Sequence, residues 1–320
     1  MLHVYSTVDG LLRRGTTVAR DLDHALWLDL VSPTEAERAT VENLLEVELP
    51  TRDAMQEIEI SSRLYSDDDA AFMTVTLPLK IGNQPPHMAH VSFVLTNGRL
   101  VTLRHHELDA FGRFLARAEQ SGAGKTGETI LAGILEAIVD GIADSLERAS
   151  ADVETLSRLV FEHDATKPTM SRDFQAVLRQ LGRDGDLTSK LSSSLTTLDH
   201  LATFLHHGQA PADERMKARI DTLARDVVSL NGHAAFLSQK ISFLLDATLG
   251  LIGIEQNAII KIFSVAAVVF LPPTLIASIY GMNFRDMPEL DWAPGYPLAL
   301  LTMVLSAVLP YRYFKWRGWL

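Results

Sequence analysis

Residues 280–283, Tyr-Gly-Met-Asn, close an apolar run, and Asp286, Glu289 and Asp291 follow directly behind. Gly281 allows close backbone approach, and Asn283 supplies a neutral side-chain carbonyl. The acids raise the local concentration of cations without having to ligate one. A plainer reading stands beside this one. Glycine and asparagine are ordinary helix C-caps, and acids in a short connector are ordinary solvated side chains. The setting of the run decides how much weight each reading takes.

That run, Ile262 to Tyr280, reads IFSVAAVVFLPPTLIASIY and holds no charge. As a helix it approaches the roughly 30 Å of a bilayer's hydrocarbon core. It is apolar around its whole circumference, which points to a membrane span rather than to a buried hairpin of a soluble domain. A second run, Tyr296 to Pro310, continues to Phe314 with Arg312 as its one charge, placed where it can snorkel. Arg285 is the one basic residue in the connector 281–295, whereas Lys240 and Lys261 precede the first span and Arg312, Lys315 and Arg317 crowd the end of the second. Basic residues favour the cytoplasmic side, so both termini are expected there and the acidic connector outside. Trp292, Tyr296, Tyr311, Tyr313, Trp316 and Trp319 sit near the span ends, as interfacial anchors do.

Composition narrows the partners. The 320 residues carry a net charge of -11, which disfavours nucleic acid and suits a protein that handles cations. Cysteine is absent, so disulfides and thiolate metal sites are excluded. The start, MLHVYSTVDG, lacks a basic-then-apolar leader, and no cleaved signal peptide is expected.

The remaining chain must position the spans. Residues 1–107 carry strand signals: VYSTV, ALWLDL, FMTVTLPL and HVSFVLTNGRLVTLR, the last with Asn97-Gly98 as a hairpin turn. Ser32-Pro33-Thr34-Glu35 is expected to open a helix, with Ser32 as cap and Pro33 first in the helix. This predicts an α/β domain over 1–107. Residues 108–257 predict long helices, with breaks near Pro168 and at 208–211 and a weak internal signal at Asn231-Gly232. After Pro211 nothing stops a helix decisively before Pro272, so a helix of about 90 Å is expected to lead into the first span. The expected order is a first span at 258–281, a connector at 282–295, a second span at 296–314 and a basic tail at 315–320.

Other chemistry is weak. GAGKT, residues 122–126, has Glu119 where a phosphate loop needs glycine and follows a helix signal rather than a strand, so no nucleotide is expected. The pairs His105-His106 and His206-His207 lack a third ligand nearby in sequence, and adjacent histidines on a strand face opposite ways. Asp67-Asp68-Asp69 reads as a solvated turn between strands. No Ser/His/Asp arrangement or HExxH is present, and an enzyme is not expected.

Counting threes and fours from Asn257 gives Asn257, Ile260, Ser264, Ala267, Leu271, Thr274 and Ser278. This seven-residue seam gathers most small and hydroxyl residues of the first span. It fits a tight helix–helix contact or the wall of a narrow wet pore equally. The long helix leading in tilts the reading to a ring of copies held in register.

The segments 255–290 and 295–320, together with WLDLVSP and NGRLVTLR, resemble the CorA magnesium-transport family of the enteric-bacterial type along the whole chain. Met282 favours this branch over the zinc-transporting ZntB-like branch, which usually has another hydrophobic residue there. The resemblance implies a homopentameric channel in the bacterial inner membrane, passing Mg²⁺, with Co²⁺ and Ni²⁺ as further substrates. It implies pore-lining Asn257, Ile260, Phe263, Leu271 and Thr274, with Phe263 inward where the seam count puts Ser264. It also implies a selective mouth at Gly281, Met282 and Asn283, and closure by cytoplasmic Mg²⁺. Asp226 matches a regulatory acid loosely. Pro272-Pro273 frees carbonyls one turn back, and serves either as a gating hinge or as a fixed kink. A ZntB-like zinc transporter and a membrane-anchored sensor or scaffold without flux are the alternatives.

Overall fold

The structure, a computed structural model, describes residues 1–15, 19–67, 70–79, 86–121, 125–161, 171–207, 214–282 and 287–318. It divides into two compact units, Met1–Leu245 and Asp246–Leu320.

The first unit begins with a seven-stranded sheet. Its strands are β1 (Leu2–Val8), β2 (Leu11–Arg14), β3 (Trp27–Val31), β4 (Leu64–Asp67), β5 (Ala70–Leu79), β6 (His87–Thr96) and β7 (Arg99–Arg104). The spatial order is β2-β1-β3-β7-β6-β5-β4, antiparallel throughout except for the parallel β3–β7 pair. Short helices α1 (Ala19–Asp23), α2 (Glu35–Leu45) and α3 (Ile60–Arg63) fill the connections. Asn97 and Gly98 both have positive φ, 49° and 71°, as a type I′ turn between β6 and β7 demands.

Strand alternation separates the two faces of β3. Leu28 and Leu30 join Val41, Leu45 and Leu49 in a core beneath α2. Trp27 and Asp29 point the other way. There Trp27 meets Phe111 and Phe114 of α4 (Asp109–Ser121) with ring centroids 6.1 and 5.9 Å away. On that same face Trp27 Nε1 donates to Thr102 Oγ1 at 2.9 Å, and Thr102 Oγ1 donates to Asp29 Oδ1 at 2.7 Å. Arg104 Nη2 and Nε complete the chain at Asp29 Oδ2 and Oδ1, 2.8 and 3.1 Å away.

The cap of α2 differs from expectation. Thr34, not Ser32, is the N-cap, and Pro33 lies outside the helix. Thr34 and Glu37 have the spacing of a capping box: Thr34 Oγ1 accepts from Glu37 N at 3.3 Å, and Thr34 N donates to Glu37 Oε2 at 2.9 Å. Ser32 sits too far upstream for that exchange. Its φ is 43°, and its hydroxyl donates to His105 O at 2.9 Å.

Three long helices follow: α5 (Gly127–Phe161), α6 (Ser171–His207) and α7 (Glu214–Tyr280). Their buried residues recur at three- and four-residue steps, for example Ile142, Leu146, Ala149, Val153, Leu156 and Val160 on α5. On α7 the buried positions are Met216, Ile220, Leu223, Val227, Ala234, Leu237, Ile241, Leu244 and Thr248. Side-chain pairs tie α7 to its neighbours. Arg219 holds Glu136 with two bonds of 2.8 Å, Lys240 pairs with Glu154, and Ser192 Oγ donates to Asn231 Oδ1 at 3.0 Å. Asn231-Gly232 is therefore no break.

Helix α7 has 67 residues, about 100 Å, and does not stop at Pro272. Prolines in a helix remove N–H donors and crowd the preceding turn, but an apolar setting offers the backbone no alternative partners, so the helix persists. The second unit is the C-terminal part of α7, a 3₁₀ turn at Pro288–Asp291, and α8 (Gly295–Trp316).

Candidate functional site

Among the described residues the sheet gathers no group of three metal-ligating side chains. His105 and His106 lie just beyond β7 rather than on it, and His106 meets His87 edge to face at 5.7 Å. His206-His207 close α6, a helix and not a strand, and His206 Nδ1 lies 3.0 Å from Asp221 Oδ1 of α7. The missing third neighbour is thus distant in sequence. Asp68, Asp69 and the glycines of GAGKT lie outside the described residues, while Thr126 of that motif accepts from Thr129 N at 3.3 Å at the start of α5. Among the described residues no group of three or more His, Asp or Glu side chains is placed to hold a metal.

The second unit is where the apolar runs come together. Two of its helical stretches, in α7 and α8, are long and apolar enough to cross a membrane. Within residues 262–280 of α7 the half-buried positions are Val265, Ala266, Val268, Val269, Pro272, Pro273 and Ile276. Those on α8 are Gly295, Ala299, Met303, Ser306, Ala307, Pro310 and Phe314. Ile262, Val265, Ala266, Val269 and Phe270 share an apolar groove with Ala307, Val308 and Tyr311. Small residues on α8 let two helices approach in lipid, where no hydrophobic force separates them from solvent. The signal for this contact in the sequence is the set of small residues at helical spacing on α8: Gly295, Ala299, Ser306 and Ala307.

The seam lies on another side of α7. Asn257, Ile260, Ser264, Ala267, Leu271, Thr274 and Ser278 are all exposed. Ile260 is 55% exposed and Leu271 65%. Phe263, at 70%, is exposed alongside Ser264, so both lie on the open side. Thr274 Oγ1 donates to Phe270 O at 2.7 Å, which spends its proton on the backbone and leaves oxygen lone pairs free to accept.

At the end of the seam Gly281 N donates four residues back to Ala277 O at 2.9 Å, and Met282 N only three back to Ile279 O at 3.2 Å, so the last turn tightens as α7 ends. A Cβ on Gly281 would stand 3.1 Å from Ala277 O, tighter than an ordinary contact. Met282 is exposed. Asn283 and Asp286 lie outside the described residues; Glu289 and Asp291 belong to the 3₁₀ turn, and Asp291 is exposed. Asp226 is exposed on α7, where it borders a depression with Arg117, Glu136, Asp140 and Arg219. Its acidic neighbours are already neutralised, Asp140 by Arg117 at 3.3 Å and Glu136 by Arg219.

An α/β unit with long helices, followed by two helices long and apolar enough to cross a membrane, is the architecture of a membrane protein. Residues 23–316 match the family described as CorA-like Mg2+ transporter protein, and the chain belongs to that family, one of transporters rather than of enzymes. The Magnesium transport protein CorA of Escherichia coli (strain K12) is 38% identical over 312 residues, 97% of this chain and 96% of its own. That of Yersinia pseudotuberculosis is 38% identical over 302 residues, 94% and 93% of the two chains. Among solved structures, the CorA magnesium transporter from Methanocaldococcus jannaschii has the same fold, with a TM-score of 0.78 at 18% identity over 100% of this chain and 99% of that one. The full-length CmaX protein follows with 0.71 at 16% identity over 100% and 97%.

Proposed function

We propose that this chain is one subunit of a homopentameric channel that carries Mg²⁺ inward across a bacterial inner membrane, with both termini cytoplasmic. Five copies of α7 turn their seams to a common axis, and five copies of α8 face lipid. The observation that carries this reading is the exposed seam from Asn257 to Ser278, which runs without interruption to Gly281.

Mg²⁺ releases its water reluctantly and prefers six oxygen ligands in an octahedron. Stripping it inside the membrane would need carboxylates, and residues 262–280 contain none. Neutral oxygens can instead accept hydrogen bonds from the ion's own water. Asn283 supplies an amide carbonyl at the mouth, Gly281 lets the backbone approach, and Asn257, Thr274 and Ser278 supply further oxygens below. Asp286, Glu289 and Asp291 concentrate cations outside. Ile260, Phe263 and Leu271 form a greasy constriction that dewets when narrow. Entry needs no nucleotide: a divalent ion gains about 4.6 kcal/mol per 100 mV, inside negative. Co²⁺ and Ni²⁺ are further substrates on the same chemistry, and cytoplasmic Mg²⁺ closes the pore, with Asp226 as a contributor.

The test is flux into liposomes holding purified protein and an internal magnesium dye. Gly281→Ala and Asn283→Ala abolish the signal while the pentamer survives size analysis. Normal transport by both variants refutes the mouth. Absence of flux from the parent protein leaves a sensor or scaffold, and Zn²⁺ outcompeting Mg²⁺ assigns the chain to zinc transport.

A further inference from the structure

The core-facing stripe of α6 contains one residue that does not belong in a hydrocarbon contact. Val177, Leu181, Asp184, Thr188 and Leu191 follow one another at steps of four and three, and all are buried. Asp184 is only 4% exposed, with Leu181 and Thr188 at 0% and 1% on either side. Its Oδ1 accepts from Gln180 Nε2 at 3.0 Å, and its backbone carbonyl accepts from Thr188 Oγ1 at 2.7 Å. Its Oδ2 has no hydrogen-bond partner among the described residues.

We infer that Asp184 is a proton-operated latch in the α5–α6 contact: as a neutral carboxylic acid it lets the stripe pack, and on ionising it prises the stripe apart. A carboxylate with one bare oxygen in such a place costs far more than a carboxyl with one hydroxyl to accommodate. The surrounding charges do not rescue the anion. From α5 the facing charge is Asp152, of the same sign. From α6 itself come Gln180 and the guanidinium of Arg183, which hydrogen-bonds to Gln180 rather than to Asp184. From α7 the neighbour at this level is apolar, Ile241 lying 3.6 Å from a Cβ built on Gly185, and Lys240 is paired with Glu154.

Burial first, and then Asp152, push the Asp184 carboxyl above the usual aspartate range. The sign follows by linkage. Between the ionisation of Asp184 in the unfolded chain, near pH ~3.9, and its higher value in the fold, the folded state holds the extra proton, so stability falls as pH rises through that window. When the O–H bond breaks, the proton leaves to water. Acid therefore tightens the α5–α6 contact, and a pH rising through that window loosens it, whichever ion the molecule carries.

The experiment is infrared titration of the full purified chain, read as the difference between wild type and Asp184→Asn. A carboxylic-acid C=O band that persists well above pH ~4, and that is missing in Asp184→Asn, is the expected result. Asp152→Asn, at an exposed position, keeps the test alive if the buried variant fails to fold; it should move the loss of that band to lower pH. The inference is overturned by a band lost at the pH of free aspartate, by a wild-type spectrum indistinguishable from Asp184→Asn, or by an unmoved midpoint in Asp152→Asn.

Discussion

Arg104 grips Asp29 across the parallel β3–β7 pair with two guanidinium nitrogens, and the two side chains are 5% and 2% exposed. The fork is continued on one side to Glu107 and the carbonyl of His106, and on the other to Thr102 and Trp27. Parallel pairing brings residues together that are 75 apart in the chain, which is why no local pattern announced it.

Removing one member of this pair strands the other in the core. Asp29→Ala is expected to destabilise the α/β part by about 3–5 kcal/mol, because the Arg104 charge is left without its partner. Replacing both with apolar residues should cost less than the sum of the single changes. Thermal or urea unfolding of the four-member mutant cycle measures this directly.

Glu37 gives an acid-labile contribution of opposite sign to that of Asp184. The backbone N–H of Thr34 first, then the Met1 ammonium and the backbone N–H of Leu2, hold its carboxyl down to about 2 from 4.5. A depressed carboxyl stabilises the fold above its unfolded value and loses that stabilisation as pH falls from 4.5 toward about 2. Glu37→Gln should flatten the acid limb of the melting curve over that interval. Thr34→Ala should lower stability by about 1 kcal/mol through the lost cap.

Gly127 is pinned against the β6–β7 turn. Its N–H donates to Gly98 O at 2.8 Å, and a Cβ there would stand 2.6 Å from the carbonyl carbon of Arg99 and 2.8 Å from Leu100 N. These are backbone atoms that cannot step aside. Gly127→Ala should therefore destabilise by about 1–3 kcal/mol or more, whereas Gly112→Ala, which meets open space, should be neutral or stabilising.

The two sides of the second unit should respond differently to substitution. Thr274→Leu on the seam is expected to cut magnesium flux by about tenfold or more, equivalent to roughly 1.4 kcal/mol in the barrier. Leu301→Ala on the exposed flank of α8 should leave it near the parent rate. Equal tolerance at both positions would remove the seam from the ion path.

Much of this arrangement could be read from residue order alone, where a local rule governs. Asn97-Gly98 dictated a two-residue hairpin because both positions need positive φ. The uncharged stretch from Ile262 to Tyr280 declared itself by length and composition, and the threes and fours from Asn257 put the small and hydroxyl residues on one side. Other features follow from tertiary context. The cap at Thr34 was displaced from Ser32 because the reciprocal bond to Glu37, and not proline position, decides where α2 begins. Pro272-Pro273 was expected within the first span as a hinge or a kink, and α7 runs through both prolines to Tyr280. His206 and Asp221 meet because α6 and α7 run side by side, and Asp184 faces a like charge because α5 brings Asp152 toward it. Such pairings depend on which helices pack together, a fact no window of sequence contains.

One seven-residue register of buried positions runs along the first-unit part of α7: Met216, Ile220, Leu223, Val227, Ala234, Leu237, Ile241 and Leu244. That part of the rod is keyed to the helices beside it. Inserting a single residue between Val227 and Ala234 would turn the positions from Ala234 to Leu244 away from their seats by about 100°, while inserting seven would bring the keyway nearly back into line. The length of this stretch can therefore change only by whole repeats.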